Sequence, residues 1–154
     1  MRGRLGGAVT LWTAAAPSLP AGRAGLTVTS LMVAAGPEPA VLALLDPDSD
    51  LAEALLDSGR AVVSLLRWDD RAMAEAFAGS APAPGGPFRM APFVDTPWGP
   101  RPEHAPAWAG VELLDHRETG WSVLVTCRLA EVEVGEDDDP LGHRRGRWQR
   151  LSPP

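Results

Sequence analysis

Hydroxyl side chains recur at ordered positions in the first half of this chain, and they are the first candidates for ligand contacts. Thr27, Thr29 and Ser30 lie along one predicted strand, Ser49 opens a predicted helix, and Ser64 lies near the end of the next strand. Hydroxyl groups donate and accept hydrogen bonds, and the free N–H groups of a helix N-terminus bind phosphate. Together these groups could contact a polar ligand that carries a phosphate, although each residue alone is more often structural.

Three carboxylates crowd the turn that opens the helix, namely those of Asp46, Asp48 and Asp50. A phosphate dianion within several ångströms would be repelled by each of them by about 1 kcal/mol or more, depending on burial. The arginines that could offset this repulsion are Arg23, Arg60 and Arg67. The turn is therefore the position at which phosphate binding is most in conflict with the local charge.

The elements that position these residues follow from hydrophobic periodicity. Leu26–Val33 alternates apolar and hydroxyl residues and predicts a half-buried strand, and Ala40–Leu45 is a continuous apolar run that predicts a strand buried on both faces. A helix is predicted over Asp50–Ser58, with Asp50 as the cap and Glu53 as its capping-box partner. Arg60–Leu66 predicts the next strand.

The rest of the chain predicts more strands and one more helix. The helix is expected over Asp69–Ala78, and the strands over Ala8–Thr13, Val111–His116, Ser122–Val134 and Arg147–Leu151, with an acidic turn at Glu136–Asp139. Ser80–Ala107 contains eight prolines and predicts a long loop, whose aromatic residues should pack on the barrel or on a second subunit. Together these elements predict one mainly β domain over residues 1–154 with two short helices. Their order favours a barrel over a parallel sheet.

Composition narrows the function classes. The chain has 154 residues, a net charge of −6 and no Lys, Ile, Asn or Tyr, a bias typical of a GC-rich bacterial genome. The acidic balance argues against nucleic-acid binding, and the absence of a long apolar run argues against a membrane span.

The single cysteine, Cys127, excludes an internal disulfide and favours the cytoplasm, and its mid-strand position predicts a buried thiol rather than a nucleophile. The three histidines lack ligand spacing, so no metal site is expected.

The order of these motifs resembles the flavin reductase-like family, whose domain is an FMN-binding split β-barrel. In that family a strand reading roughly T-x-[NTS]-S is followed by a proline turn, a strand ending in S-x-T, a helix, and a strand ending in [NS]-x-L. The resemblance implies hydride transfer from NAD(P)H to FMN, with FAD as an alternative flavin, in a homodimer that supplies reduced flavin to a partner oxygenase. It places flavin contacts at Thr27, Thr29, Ser30, Ser49 and Ser64. The candidate site also includes Leu31, which could wall the flavin ring, and Asp46 and Asp50, which lie where the phosphate would bind.

The chain departs from the family pattern at two motifs. The S-x-T motif is Ser49-Asp50-Leu51 here, so its threonine is missing, and the family's Gly-Asp-His strand start is Gly120-Trp121-Ser122. No catalytic side chain is assigned, because the flavin supplies the redox chemistry and the protein supplies binding and orientation. The acidic turn keeps a second hypothesis open, that of a degenerate barrel that no longer binds flavin and acts as an interaction or assembly module.

Overall fold

The computed structural model describes residues 1–136 and 138–151, so part of the predicted acidic turn and the last three residues lie outside the described residues. Within the described ranges the chain forms twelve strands and three α-helices. The strands are β1 (Gly7–Ala8), β2 (Thr10–Ala15), β3 (Arg23–Val28), β4 (Leu31–Ala34), β5 (Ala40–Leu45), β6 (Arg60–Leu65), β7 (Phe93–Thr96), β8 (Gly99–Pro102), β9 (Ala107–Thr119), β10 (Ser122–Val134), β11 (Leu141–Arg144) and β12 (Arg147–Arg150). The helices are α1 (Arg2–Leu5), α2 (Asp50–Ser58) and α3 (Arg71–Ala78).

A seven-stranded sheet with the strand order β3-β2-β6-β9-β10-β5-β4 forms the body of the protein, and each of its pairings is antiparallel. The two edge strands, β3 and β4, are consecutive in sequence and are joined by only Thr29 and Ser30. Because two residues connect the two edges, the sheet must curl until those edges meet. The result is a split β-barrel, which confirms the predicted fold class.

The barrel interior is filled by the inward-facing residues of the sheet and by one face of α2. Trp12, Val111 and Val125 are fully buried, and Leu51 and Leu55 of α2 are buried against the same cluster. The spacing of these two leucines matches one turn of a helix, so the apolar stripe of α2 faces the core. The helix therefore closes the barrel interior and fixes the turn that precedes it.

Two strand predictions are corrected. Leu26–Val33 is not one strand, because the chain leaves the β3 edge after Val28 and joins the β4 edge at Leu31, so only the second part pairs with β5. Ala40–Leu45 is a strand, but it is not buried on both faces. Its inward residues are almost fully buried, whereas Leu44 on the outer face is 39% exposed.

Helix α2 has the predicted bounds but a different cap. The cap residue is Ser49, whose hydroxyl accepts a hydrogen bond from the N–H of Ala52 at 3.2 Å. The prediction that Asp50 caps the helix is wrong, since Asp50 is already the first helical residue. The helix ends at Gly59, whose φ of 71° lies in the left-handed region that glycine adopts without strain.

The proline-rich segment is more ordered than its sequence predicts. It contains the β7–β8 hairpin, and Phe88 and Phe93 pack edge-to-face on each other and on Phe77 of α3. Trp98, in the hairpin turn, lies against Gly110 of β9, where an added Cβ would come within 2.3 Å of the ring. The prediction that these aromatic residues pack on the barrel is confirmed, and the prediction of a loop throughout Ser80–Ala107 is wrong.

A second, three-stranded sheet with the order β1-β11-β12 extends the end of the barrel. Backbone hydrogen bonds from Val9 to Leu141 and from Leu141 to Leu66 join it to the main sheet. The sequence predicted the strand at β12 but neither β1 nor β11. Among the described residues, no helix has the length and apolar character needed to cross a membrane.

Candidate functional site

The connection between β3 and β4 is the first element of the candidate site. Thr29 is exposed and Ser30 is partly buried, and the carbonyl oxygen of Ser30 accepts a hydrogen bond from the N–H of Leu44 at 2.9 Å. Within residues 1–136 and 138–151, the N–H groups and the hydroxyls of Thr29 and Ser30 make no hydrogen bond. The line where the two barrel edges meet, defined here as the seam (Thr29 and Ser30), therefore presents four free polar groups.

Apolar side chains lie on both sides of the seam. Leu31, the first residue of β4, is partly buried, and Leu44 on the neighbouring strand is 39% exposed. Leu65 is 37% exposed and is paired with Thr10, which in turn is paired with Val28 at the end of β3. The register places Leu31 and Leu65 on the inward face of the sheet and Leu44 on the outer face. A flat aromatic ligand at the seam would therefore meet hydrogen-bonding groups in the middle and the side chains of Leu31 and Leu65 on its flanks, as ligand sites require.

The turn from Asp46 to Ser49 follows β5 directly and is held by its own hydrogen bonds. The Asp46 carboxylate accepts from the N–H of Asp48 at 2.9 Å, and the Ser49 hydroxyl donates to the carbonyl of Asp46 at 2.7 Å. Because the Ser49 hydroxyl also caps α2, it is already engaged by the protein. The turn is therefore formed without a ligand. The role of Ser49 toward a ligand is indirect, because its hydroxyl holds the helix N-terminus in place.

The N-terminus of α2 offers the groups that could bind a phosphate. In the part of the chain that the structure describes, the N–H groups of Asp50 and Leu51 make no hydrogen bond, as expected for the first turn of a helix. The Leu51 side chain, which stands where the family motif has threonine, is fully buried in the core. A hydroxyl at that position would point into the apolar core and away from a ligand at the helix N-terminus.

The three carboxylates of the turn are not countered by the arginines that the sequence suggested. Arg67 pairs with Asp138 at 2.6 Å, and Arg60 donates to the carbonyl of Pro97 at 3.3 Å. The guanidinium of Arg23 lies 4.5 Å from the centroid of the Phe88 ring. Each of these arginines makes its contacts away from the turn, so the negative charge of Asp46, Asp48 and Asp50 stands beside the free amides of α2.

Two candidate residues lie apart from the seam. The Thr27 hydroxyl donates to the carbonyl of Ala74 in α3 at 2.7 Å, so it ties the helix to the sheet. Ser64 is fully buried, and its hydroxyl has no hydrogen-bond partner among the described residues. The structure thus brings together Thr29, Ser30, Leu31 and the Asp46–Asp50 turn, while Thr27 and Ser64 lie on the sheet face that α3 and the β8–β9 segment cover.

The β9–β10 hairpin places one residue near the site that the sequence did not single out. Gly120, with φ of 60°, and Trp121 form the two-residue turn between Thr119 and Ser122, and Trp121 is 99% exposed. Val123 is paired with Leu45, so the hairpin tip extends beyond β5 on the side of the Asp46 turn. The family motif points only to the histidine that is absent here. The tryptophan that directly follows the turn glycine is the sequence feature that marks this position.

Thiol chemistry and metal binding find no support in the described residues. Burial raises the pKa of the Cys127 thiol to about 12, so the thiol stays protonated at neutral pH, and the prediction that it is buried is confirmed. No group of three or more metal-ligating side chains occurs in residues 1–136 and 138–151. The site therefore contains hydrogen-bonding groups and apolar walls, and a bound cofactor would have to supply the redox chemistry.

Comparison with known proteins identifies the class to which this site belongs. The profile of the flavin reductase like domain family matches residues 1–152, nearly the whole chain. The chain is a member of the flavin reductase-like family.

Particular relatives agree with this assignment. The chain is 30% identical to FMN reductase (NADH) RutF 2 of Methylorubrum extorquens strain PA1, over 76% of this chain and 70% of that protein. Its fold is similar to the flavin reductase of styrene monooxygenase from Pseudomonas putida S12, with a TM-score of 0.84, 20% identity and coverage of 99% and 96% of the two chains. The flavin reductase PheA2 is similar in fold at a TM-score of 0.83 and 20% identity, with coverage of 99% and 94%.

Proposed function

We propose that this protein is an NAD(P)H-dependent flavin reductase that binds FMN at the seam and supplies reduced flavin. The observation that carries the proposal is the set of four unpaired polar groups on Thr29 and Ser30, flanked by exposed leucines. A flavin ring system has a polar edge that needs donors and acceptors and an apolar part that needs a dry wall. The polar groups of the seam fit the first requirement, and the leucines that flank it fit the second.

Each residue of the site has a distinct task in this proposal. The amides and hydroxyls of Thr29 and Ser30 hydrogen-bond to the polar edge of the flavin, and Leu31 and Leu65 exclude water from its apolar part. The amides of Asp50 and Leu51 bind the phosphate, and Ser49 positions them by capping the helix. When bound, the flavin accepts a hydride from the nicotinamide and carries the electrons onward. The chain's own groups bind and orient the reactants.

FMN is the flavin that the relative's name suggests, since that protein is called an FMN reductase that uses NADH. FAD remains the alternative, because a neighbour of similar fold from Streptomyces globisporus is described as an NADH:FAD oxidoreductase. In FAD the phosphate next to the flavin carries one charge, whereas the terminal phosphate of FMN is close to a dianion at neutral pH. The acidic turn therefore penalises FMN more than FAD.

The partner is proposed to be an oxygenase or a halogenase that consumes reduced flavin. Neighbours in fold are described as the flavin reductase of styrene monooxygenase and as the flavin reductase component of a two-component tryptophan halogenase. A cytoplasmic location agrees with the single, buried cysteine.

A homodimer is supported by the outer face of the sheet beside the seam. Met32 is 65% exposed and is paired with Leu42, and Leu44, which is 39% exposed, is paired with Leu124. Alternation along the strands places these four side chains on one outer face, where they form a continuous apolar strip. A second copy covering this strip would remove it from water and would lie next to the flavin.

One observation favours the second candidate function, an interaction module without flavin. The carboxylates of Asp46, Asp48 and Asp50 surround the amides that would bind the phosphate, and the three arginines considered above bind elsewhere. If that repulsion exceeds the binding energy of the seam, the barrel keeps its fold and loses its cofactor. The apolar strip would then be the functional surface.

Titration of the protein with FMN, followed by the quenching of flavin fluorescence, decides between these functions. We expect saturable binding, and we expect Thr29→Val to weaken it by about threefold to tenfold, the usual value of one hydrogen bond. Thr119→Val, which removes an exposed hydroxyl from the β9–β10 hairpin, is the matched control and should leave the affinity unchanged. Bound FMN should then be reduced by NADH or NADPH under anaerobic conditions. Absence of binding at high micromolar FMN and FAD would favour the interaction module.

A further inference from the structure

Two arginines and a tryptophan line a second cleft, far from the seam. The cleft has a volume of about 360 Å³ and lies between the β7–β8 hairpin and the ends of β2, β3 and β6. Arg23, Arg60, Trp98 and Asp95 are the chemically distinctive residues of its lining. A volume of this size is within the range of small-molecule sites.

The cleft is separate from the proposed flavin site. Arg23 is the first residue of β3 and Val28 is the last, and the seam follows Val28 directly. Five residue steps along a strand span about 17 Å. The cleft and the seam therefore lie at opposite ends of β3.

The two arginines present donors that the protein does not use. The guanidinium of Arg60 donates one hydrogen bond, to the carbonyl of Pro97 at 3.3 Å, and that of Arg23 lies over the rings of Phe88 and Phe93. Neither forms a salt bridge within residues 1–136 and 138–151, although Arg60 is paired across the strands with Glu112, whose pKa is lowered mainly by Arg128 and also by Arg60. A guanidinium carries five donors, so most of those in the cleft are free for a ligand.

Trp98 gives the cleft a rigid, flat wall. Its ring lies against the backbone of Gly110, and its side chain hydrogen-bonds to Glu112, whose principal partner is Arg128. The Trp98 N–H of the main chain also donates to the Thr96 hydroxyl at 3.1 Å. The indole is thus held from two sides before any ligand binds.

We propose that this cleft is a binding site for a small aromatic carboxylate. The fork of a guanidinium matches the two oxygens of a carboxylate, and a flat ring can stack on the indole. With two arginines and the single carboxylate of Asp95, the lining carries a net charge of about +1, so it suits a monoanion better than a dianion. Such a ligand would bind independently of the flavin, at a site suited to an effector.

The experiment is a titration of ¹⁵N-labelled protein with sodium benzoate, in which the indole N–H signals of the six tryptophans are followed by NMR. Trp98→Phe assigns the signal of Trp98. We expect this signal to move and to saturate with benzoate. Arg60→Gln should raise the dissociation constant by about tenfold, the usual loss for one charge-assisted hydrogen bond. Arg117→Gln, the same change at an exposed position on β9, is the control and should leave the dissociation constant unchanged. Arg23→Gln tests the second guanidinium of the cleft in the same way.

The outcomes that overturn the proposal are specific. A Trp98 signal that benzoate does not move would show that the cleft does not bind this class of ligand. Equal benzoate affinities of the Arg60→Gln and Arg117→Gln variants would exclude the guanidinium contact. Binding of benzyl alcohol as tightly as benzoate would exclude recognition of the charge, and binding of inorganic phosphate as tightly as benzoate would exclude recognition of the ring.

Discussion

Removing the negative charge next to the helix N-terminus tests the proposed phosphate position most directly. The double variant Asp48→Asn, Asp50→Asn suits this purpose, because both side chains are exposed and neither caps α2. The cap is Ser49, and the carboxylate that holds the turn is that of Asp46, so both stay intact. Leu51→Thr, which would restore the family motif, is a poor choice, since Leu51 is fully buried and its replacement would cost about 2 kcal/mol or more of stability.

The expected gain follows from Coulomb's law. A carboxylate about 7 Å from a phosphate dianion is repelled by about 1.2 kcal/mol in a water-like dielectric. Screening at physiological ionic strength, where the Debye length is about 8 Å, lowers this to about 0.5 kcal/mol for an exposed pair. Two such charges give about 1 kcal/mol, so the dissociation constant of FMN should fall by about fivefold in the double variant.

The assay compares FMN with riboflavin, which has the same ring and no phosphate, by fluorescence-quenching titration at low and high salt. The variant should bind FMN more tightly and riboflavin as the wild type does. The advantage for FMN should shrink as salt rises, because the repulsion is screened. An equal change for both ligands would place the phosphate elsewhere, and an unchanged FMN affinity at low salt would refute the electrostatic argument.

Three further predictions concern stability. Ser49→Ala should lower the free energy of unfolding by about 1 kcal/mol in a urea titration, because the cap of α2 is lost, and no loss would mean that another group caps the helix. Gly110→Ala should lower it by about 1–3 kcal/mol, because the new methyl group meets the Trp98 ring, whereas Gly120→Ala, with open space around it, should be limited to backbone strain. Between pH 8 and 10 the unfolding free energy should fall by about 1 kcal/mol: the pKa of Cys127 is raised from 9.0 to about 12 on folding, so the unfolded thiol ionises first, and stability present below pH 9 is lost as pH rises. The chain has no Lys or Tyr to obscure this, and Cys127→Ala should remove most of the slope.

Local patterns were sufficient to predict the elements whose residues decide their own conformation. Helix α2 has the predicted bounds of Asp50–Ser58, because an apolar stripe at helical spacing is followed by Gly59, which adopts the left-handed conformation. Its cap was assigned one residue too late, since Ser49 and Asp50 are both good capping residues and adjacent positions compete. The error changes the chemistry of the site, because it frees Asp50 from a structural role.

The break at the seam could not be read from local patterns. Apolar and hydroxyl residues alternate from Leu26 to Thr29, and the run Ser30–Val33 that follows contains neither Gly nor Pro, so a local reading predicts one strand. The structure divides this segment between the two edges of one sheet. That division is imposed by barrel closure, which depends on the number and tilt of all the strands rather than on Thr29 and Ser30 themselves.

The β7–β8 hairpin was missed for a related reason. Its prolines, Pro100 and Pro102, argue against a strand in any local reading. They are tolerated because β8 pairs only with β7 in a two-stranded ladder, and the free side of the strand needs no donor. The hairpin is held on the barrel by the packing of Trp98 on Gly110 and by a buried hydrogen bond from the Thr13 hydroxyl to the carbonyl of Pro100, and these contacts are visible only in three dimensions.

Barrel closure and the candidate flavin site have the same origin. When β3 ends at one edge and β4 begins at the other, the two residues between them keep a single backbone hydrogen bond, from the N–H of Leu44 to the carbonyl of Ser30, and their own N–H groups are left unpaired. Backbone N–H groups are the same in every sequence, so a site built on them constrains the fold more than it constrains the side chains. The styrene monooxygenase reductase has a similar fold over nearly its whole length at 20% identity. Members of the family should therefore differ mainly in side chains that adjust the affinity for flavin. In this chain those side chains are the carboxylates beside α2. The flavin reductase function thus depends on whether the seam's hydrogen bonds and apolar contacts outweigh about 1 kcal/mol of repulsion at the phosphate.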